Sequence, residues 1–417
     1  MSQTAHFIRR RAIRLLLPPG VGPAALPLLV ARALRALADG YMAVLLPAYL
    51  LEIGLGTLEV GLVATATLLG SALATLAVGT WGHKTHSSRL LQAAALLMAA
   101  TGVGFAGISS FWPLLLVAFV GTLNPSSGDV SVFLPLEQAR LASAASDNQG
   151  RTALFARYSL LGALCAALGA LAAAVPDWLV AHGTISRVAA LRAMFVVYGG
   201  IGMLVWLLYR QPMATGTADR PQASVPLGTS RRVVVRLAAL FSVDAFAGGL
   251  VVNALLSLWL FERFGLSLSQ AGIFFFWSGL LSATSQLVAP LVARRIGLLN
   301  TMVFTHIPAS VCLILAALAP NLPLALVLLF IRSALSQMDV PTRTAYVMAV
   351  VTPGERPAAA SFTAVPRSLA SALSPALSGA LFAMGWISVP LIACGVLKIT
   401  YDLVLWTACR RDALQDR

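Results

Sequence analysis

Apolar residues run along this chain in long blocks separated by short polar intervals. Twelve such blocks stand out, at approximately 25–51, 58–80, 90–109, 113–138, 152–175, 189–209, 234–261, 269–292, 301–319, 322–350, 359–384 and 387–408. Each is close to or longer than the roughly 20 residues that carry an α-helix across a bilayer. The pattern therefore predicts an all-α polytopic membrane protein with twelve transmembrane helices. Blocks 3 and 4, 9 and 10, and 11 and 12 are joined by very short intervals, which makes each pair antiparallel neighbours. The longest interval, 210–232, holds Pro212, Gly216, Pro221 and Pro226 and has the composition of a flexible linker. The predicted organisation is a basic N-terminal arm (1–24), a six-helix bundle (25–209), a linker (210–232), a second six-helix bundle (233–408) and a short tail (409–417).

Composition supports this reading. The 417 residues are 59% hydrophobic and 11% charged, whereas soluble domains carry about 25% charged residues. The net charge of +14 does not point to nucleic acid, because no basic stretch is interleaved with aromatics as a binding face requires. The four cysteines (Cys165, Cys312, Cys394, Cys409) lie in or beside apolar blocks with no CxxC or Cys/His spacing. They read as small core hydrophobes, with no metal site and no disulfide framework. Arg9, Arg10, Arg11 and Arg14 precede an apolar stretch that ends at Pro18-Pro19-Gly20. That stretch is too short for a signal peptide and suits a basic arm at the lipid surface. No nucleotide-binding Gly-rich loop precedes a lysine and no soluble catalytic domain is present. Neither an enzyme, a bound cofactor nor ATP-driven transport is expected.

The arginines give the orientation. The N-terminal arm and the even-to-odd intervals hold Arg9, Arg10, Arg11, Arg14, Lys84, Arg89, Arg140, Arg151, Arg210, Arg220, Arg231, Arg232, Arg236, Arg294, Arg295 and Arg356, and the tail adds Arg410, Arg411 and Arg417; the opposite side has Arg187, Arg192 and Arg263. The positive-inside rule puts both termini in the cytoplasm. The expected location is the plasma membrane, the inner membrane of a bacterium.

The chain also repeats itself. Asp129 is followed 28 residues later by Arg157, and, 210 residues on, Asp339 is followed 28 residues later by Arg367. Phe119 matches Phe330, Val130 matches Val340, Gly169 matches Gly379 and Gly61 matches Gly272. Asp39 in the first block corresponds to Asp244 in the seventh. A charge at membrane depth costs at least ~2.5–3.5 kcal/mol on insertion scales. Charges repeated at one register indicate a duplicated structure with a polar interior, and in a helical membrane protein that means a transport pathway. Since each half starts on the same side, the repeat is parallel.

Each charge has a structural and a functional reading. Arg32, Arg35 and Asp39 share a helix face, and Arg35, one turn from Asp39, can pair with it. Arg332, Asp339 and Arg343 share a face in block 10, where Pro341 is expected to kink the helix. Asp129 with Arg157, and Asp339 with Arg367, lie on successive helices, either as braces or as gating or substrate-linked pairs. Asp244 has no basic partner in its own turn, which makes it the first candidate for a reversibly protonated group, with Asp39 the second. Tyr41, Asn124, Phe246, Asn253 and Gln337 are candidate cavity-lining residues. His306 reads as a satisfied core histidine.

Twelve spans, six plus six, with a central cytoplasmic loop and cytoplasmic termini resemble the major facilitator superfamily over nearly the whole length. The signature loop between helices 2 and 3 is partly kept: Gly79-Thr80-Trp81-Gly82-His83-Lys84 ends at Arg89, with His83 where the family has an acid. The interval after helix 8, Ala293-Arg294-Arg295, keeps the basic residues and also lacks the acid. Gly162 and Gly169 in helix 5 supply the small residues of the family's antiporter motif without its proline, which appears in helix 11 as Pro375. The resemblance implies that helices 1, 4, 7 and 10, which carry the four aspartates, line a central cavity, and that the halves rock to alternate access.

The function expected from the sequence is secondary active transport of a small organic solute, as proton-coupled export by a monomer, with the lipid bilayer, the solute and protons as partners. One alternative is uptake or exchange of an anionic metabolite clamped by Arg157, Arg332, Arg343 and Arg367, since guanidinium forks suit carboxylate and phosphate. Another is a non-transporting sensor or assembly factor on the same fold.

Overall fold

The computed structural model of the chain describes residues 17–18, 21–81, 85–126, 131–144, 148–183, 185–211, 228 and 230–409. Among them are sixteen α-helices and no strand element: α1 (Leu26–Glu52), α2 (Thr57–Trp81), α3 (Ser87–Gly107), α4 (Phe111–Val120), α5 (Phe133–Ala144), α6 (Asn148–Leu171), α7 (Val175–His182), α8 (Arg187–Tyr209), α9 (Arg231–Gly249), α10 (Asn253–Phe264), α11 (Leu268–Ile296), α12 (Leu298–Ala317), α13 (Leu322–Ser336), α14 (Asp339–Val350), α15 (Arg356–Ala383) and α16 (Val389–Cys409).

Fifteen of these helices correspond to the twelve apolar blocks, while α7 lies in the interval after block 5, where no helix was expected; three blocks are broken in mid-membrane. Block 4 is α4 and α5, block 7 is α9 and α10, and block 10 is α13 and α14. The local sequence accounts for each break. Gly121 ends α4 with Pro125 close behind, and Gly248-Gly249 ends α9. Glycine weakens a helix interior and proline cannot continue one. In block 10 the expected kink at Pro341 is not where the chain bends. The helix stops at Gln337–Met338, and Pro341 sits in the first turn of α14, where its missing N–H has no intrahelical partner to lose.

Nine stretches among the described residues are long and apolar enough to cross a membrane on their own. The broken block 4 is not one of them, nor are α1 and α15. α1 carries Arg32, Arg35 and Asp39, and α15 is rich in Ser, Ala and Pro. Such helices are stable in a bilayer when their polar faces turn inward against protein.

Within residues 26–209, α1 packs on α6 and α8, and α3 on α8. Within 231–409, α9 packs on α15 and α16, and α12 on α13 and α16. Between these sets, α2 lies against α15 and α6 against α11. The repeat explains this arrangement, because the second helix of each set meets the fifth of the other. Glycines make the approach close. A Cβ on Gly61 would lie 2.8 Å from the Gly379 Cα, and a Cβ on Gly272 would lie 2.6 Å from the Ala170 carbonyl oxygen. Without those side chains, backbone meets backbone in a dispersion-dominated contact.

Candidate functional site

The second half encloses a buried cluster of charge built from four helices. Asp244 projects from α9. Its Oδ2 accepts from Arg343 Nη1 of α14 at 3.0 Å, and its Oδ1 accepts from Lys398 Nζ of α16 at 2.6 Å. Arg343 also donates through Nη2 to Asp339 Oδ2 at 2.5 Å, one helical turn back. His306 of α12 holds Asp402 of α16 through Nδ1, 2.9 and 3.1 Å from the two carboxylate oxygens. His306 Nε2 lies 3.4 Å from Lys398 Nζ and 3.9 Å from Asp244 Oδ1. The Arg343 guanidinium also lies over the Phe241 ring, 5.5 Å from its centroid. All of these carboxylates are buried. Paired and hydrogen-bonded charge is the form in which ions persist away from water.

The first half has a second cluster of different composition. Glu137 of α5 is fully buried and accepts from the Arg35 guanidinium, from Tyr158 Oη at 2.5 Å and from Tyr209 Oη at 2.5 Å. The Arg35 guanidinium stacks over Phe133, 4.1 Å from its centroid, and that of Arg32 lies 5.2 Å from the Tyr158 centroid. One carboxylate thus ties α1, α5, α6 and α8 together. Gly162 leaves room for Arg32, since a Cβ there would lie 2.4 Å from Arg32 Nε.

Two pairings expected from sequence are corrected by these contacts. Arg35 engages Glu137 across the bundle rather than Asp39 one turn away. Asp339 engages Arg343 rather than Arg367, which is exposed on α15. Asp244 has no basic partner in its own turn, but two reach it from other helices. The helical i,i+4 spacing of Asp339 and Arg343 is realised as read, but Arg332 lies beyond the break on α13, partly buried. Asp129 lies outside the described residues; Nη1 of Arg157 is buried with no hydrogen-bond partner among them. His83 and Lys84 of the signature loop also lie outside them. Asp39 is half-buried on α1.

Among the remaining candidates, Asn124 and Asn253 meet at the junction of the halves. Asn124 Oδ1 accepts from Ser126 N at 3.1 Å and Ser126 Oγ at 2.7 Å, and so shapes a turn. That turn presents two carbonyls to the start of α10. Pro125 O accepts from Ala254 N, and Ser126 O accepts from Asn253 Nδ2, each at 3.0 Å. The first N–H groups of a helix have no intrahelical acceptor, and here the opposite half supplies one. Gln337 accepts from Gln286 Nε2 at 3.3 Å, beside the break in block 10. Tyr41 is buried, with its hydroxyl 3.4 Å from the Met194 carbonyl, and Phe246 is half-buried.

Further bonds cross between the halves near this level. Ser257 Oγ donates to the Ala43 carbonyl at 3.3 Å, and Ala376 N donates to Thr65 Oγ1 at 2.8 Å. On the side nearer the chain termini, α2, α5 and α15 enclose a cavity of about 220 Å³, with Thr75, Ser131, Gln138 and Ser368 among its lining residues.

Sequence reasoning missed Glu137, Tyr158, Tyr209, Lys398 and Asp402. Lys398 and Asp402 carried a readable signal, an i,i+4 pair inside the apolar block 387–408. Glu137 sits at the end of its block, where an acid reads as interfacial, yet in the fold it is fully buried.

A family model described as Major Facilitator Superfamily matches residues 28–311 and 237–414. The uncharacterized membrane protein YJR124C of Saccharomyces cerevisiae is 25% identical over 411 residues, covering 89% of this chain and 91% of the yeast protein. Among solved structures, a bacterial homologue of the human lysosomal transporter Spinster, inward-facing and occupied, aligns with a TM-score of 0.72 at 16% identity over 93% of this chain and 96% of its own. The nucleoside transporter NupG aligns with a TM-score of 0.69 at 14% identity over 93% and 99%. With a fold of paired, broken membrane helices and a family model spanning nearly its whole length, the chain belongs to the Major Facilitator Superfamily.

Proposed function

We propose that this secondary transporter exports a small organic solute in exchange for protons, as a monomer in a plasma or bacterial inner membrane with both termini cytoplasmic. Residues 25–209 and 233–408 act as two bundles that rock about the seam between α2 and α15 and between α6 and α11. The observation that carries the reading is the Asp244–Arg343–Lys398 cluster. Its ions are drawn from α9, α14 and α16 into the membrane interior, at a desolvation cost that packing alone does not require. The asymmetry of the seam supports alternating access, because the halves touch at the end remote from the termini and enclose a cavity on the near side. The outward direction rests on the small residues of α6 at Gly162 and Gly169, the part of the antiporter motif that this chain retains.

The test is a thermal-shift screen of purified protein against classes of solute at two pH values. Flux of the best binder is then measured in proteoliposomes with and without an imposed pH gradient. Proton coupling requires gradient-driven flux, lost in Asp244→Asn with binding retained. Flux indifferent to the gradient removes the coupling, and no flux of any bound solute favours a sensor or assembly factor.

A second reading is exchange of an anionic metabolite. It is favoured by Arg332, partly buried on α13 with no ion pair among the described residues, and by the unbonded Nη1 of Arg157. Carboxylate and phosphate compounds would dominate the thermal-shift hits, and Arg332→Gln would abolish them.

A further inference from the structure

Of the 29 basic residues in this chain 27 are arginine, and the two lysines are Lys84 and Lys398. One of two lysines therefore stands in a buried charge cluster, where an arginine would form a stronger and less reversible fork. An ammonium is a single mobile charge on a flexible stem, suited to an ion pair that must break.

The hydrogen count around Lys398 shows what it would break for. The carboxylate of Asp402 can only accept, so His306 Nδ1, close to both of its oxygens, carries a hydrogen. Nε2 is then a lone pair, and Lys398 Nζ, 3.4 Å away, donates to it while donating to Asp244 Oδ1 at 2.6 Å. In the neutral imidazole, Nε2 is therefore aimed at a cation that occupies a carboxylate oxygen.

The other charged or titratable groups around His306 come from every helix packed on it. α16 contributes Lys398, Asp402 and Tyr401, whose ring centroid is 6.4 Å from the imidazole. α9 contributes Asp244, and α14 contributes Arg343 and Asp339, which act through Asp244. α13 carries Arg332, and the only charged residues of α11, Arg294 and Arg295, are exposed in its last turn.

We infer that His306 Nε2 is a proton-binding site, and that a proton there displaces Lys398 from Asp244 Oδ1. The inference rests on the proton-coupled reading above, but it places the proton on an imidazole rather than on Asp244. With Nε2 protonated, two N–H donors bearing positive charge would face each other at 3.4 Å. A carboxylate acceptor for the new N–H, Asp244 Oδ1, lies 3.9 Å away, and it is the atom Lys398 holds. Lys398 is the cluster's most exposed side chain, at 14%, so it has somewhere to go. Arg343 keeps Oδ2 throughout. One proton is bound and one ion pair exchanged; no covalent bond other than N–H forms. The exchange breaks the ion pair between α16 and α9 and forms one between α12 and α9, so protonation changes which helices of this half are joined by charge.

The test needs no known solute. Full-length protein in proteoliposomes, adsorbed on a solid-supported membrane, is given pH jumps, and the transient charge displacement is recorded against pH. Wild type should give a saturable transient that His306→Gln reduces at least about fivefold. Lys398→Met removes the competing cation and should move the midpoint to higher pH. Asp402→Asn removes the anion that steadies the imidazolium and should move it to lower pH. These opposed shifts are a signature that a merely packed histidine would not give. An unchanged transient in His306→Gln, or a midpoint lowered by Lys398→Met, overturns the proposal. Should His306→Gln not fold, imidazole nitrogen spectra of histidine-labelled wild type decide: a buried Nδ1–H tautomer that gains a second N–H on acidification supports the site, and one that never titrates refutes it. Gradient-indifferent solute flux beside an intact His306-dependent transient would sink the coupling reading and leave this site standing. Gradient-driven flux with no His306-dependent transient would do the reverse.

Discussion

Gly61 and Gly379 face each other across the two halves with no side chain between them. A Cβ on either would lie 2.8 Å from the other's Cα, closer than atoms pack. The two positions come from opposite halves and are not each other's repeat counterparts: Gly61 corresponds to Gly272, and Gly379 to Gly169. The counterpart contact, Gly272 on Ala170, closes the other side of the seam, so the closure is a pseudo-symmetric pair of backbone contacts.

Filling that contact should hold the far end of the seam open. In Gly379→Val, a cysteine placed at buried Ser257, which donates across the seam to Ala43, should react faster with a membrane-impermeant maleimide than Ser257→Cys alone, and transport should fall by an order of magnitude or more. Equal labelling rates in the two backgrounds would mean that this contact does not set the closed state.

How much of this was legible in the sequence depended on the range of the interactions. The all-α, membrane-spanning character of the chain follows from hydropathy, which operates within a segment. The i,i+4 pair Asp339/Arg343 was readable for the same reason. The partners of Asp244 and Arg35 were not. Lys398 lies 154 residues from Asp244, and Glu137 lies 102 residues from Arg35, and no periodicity along one helix reports which other helix packs against it. The breaks in blocks 4, 7 and 10 escaped too, because hydropathy runs unchanged through a non-helical turn whose backbone groups are satisfied by neighbouring protein, as Pro125 and Ser126 are.

The Glu137 cluster should behave as a structural brace. Glu137→Gln leaves the Arg35 guanidinium buried without its anion, at a cost of ~3–5 kcal/mol. Adding Arg35→Met should recover much of that loss, because the orphaned charge goes with it. Tyr158→Phe and Tyr209→Phe each remove one hydrogen bond to a charged acceptor, worth about 1.5–3 kcal/mol. Thermal unfolding in detergent ranks the four variants. A double variant no more stable than Glu137→Gln would show that Arg35 and Glu137 are not coupled.

Outside the membrane spans, Glu355 anchors the start of α9. Its carboxylate accepts from Gly228 N at 2.6 Å and Ser230 N at 3.1 Å. Hydrogen bonds from the Ser230 side chain, then from these backbone groups, hold its pKa down at about 2, from an ordinary 4.5. Since the folded value is the lower one, the stabilisation is complete above pH 4.5 and is lost as pH falls from there through 2. Amide exchange at Gly228 and Ser230 should accelerate over that window in wild type, relative to the intrinsic rate. In Glu355→Gln it should be fast at all pH values, with no such step. A step that survives the substitution would assign the anchoring to another group.

Arg343 is the hinge of the second-half cluster, because its two terminal nitrogens serve two carboxylates, Asp244 on α9 and Asp339 on α14. A lysine at 343 keeps the charge but has one nitrogen and no planar fork. Arg343→Lys should therefore lose a large part of the stability that Arg343→Ala loses, ~3–5 kcal/mol for leaving buried acids unpaired. The double variant Arg343→Met/Asp339→Asn removes one cation and one anion, leaves Asp244 with Lys398, and should be more stable than Arg343→Met alone. Thermal unfolding at pH 7 checks both. If Arg343→Lys matches wild type, a point charge suffices at this position, and the two-carboxylate fork is not what holds α14 to α9.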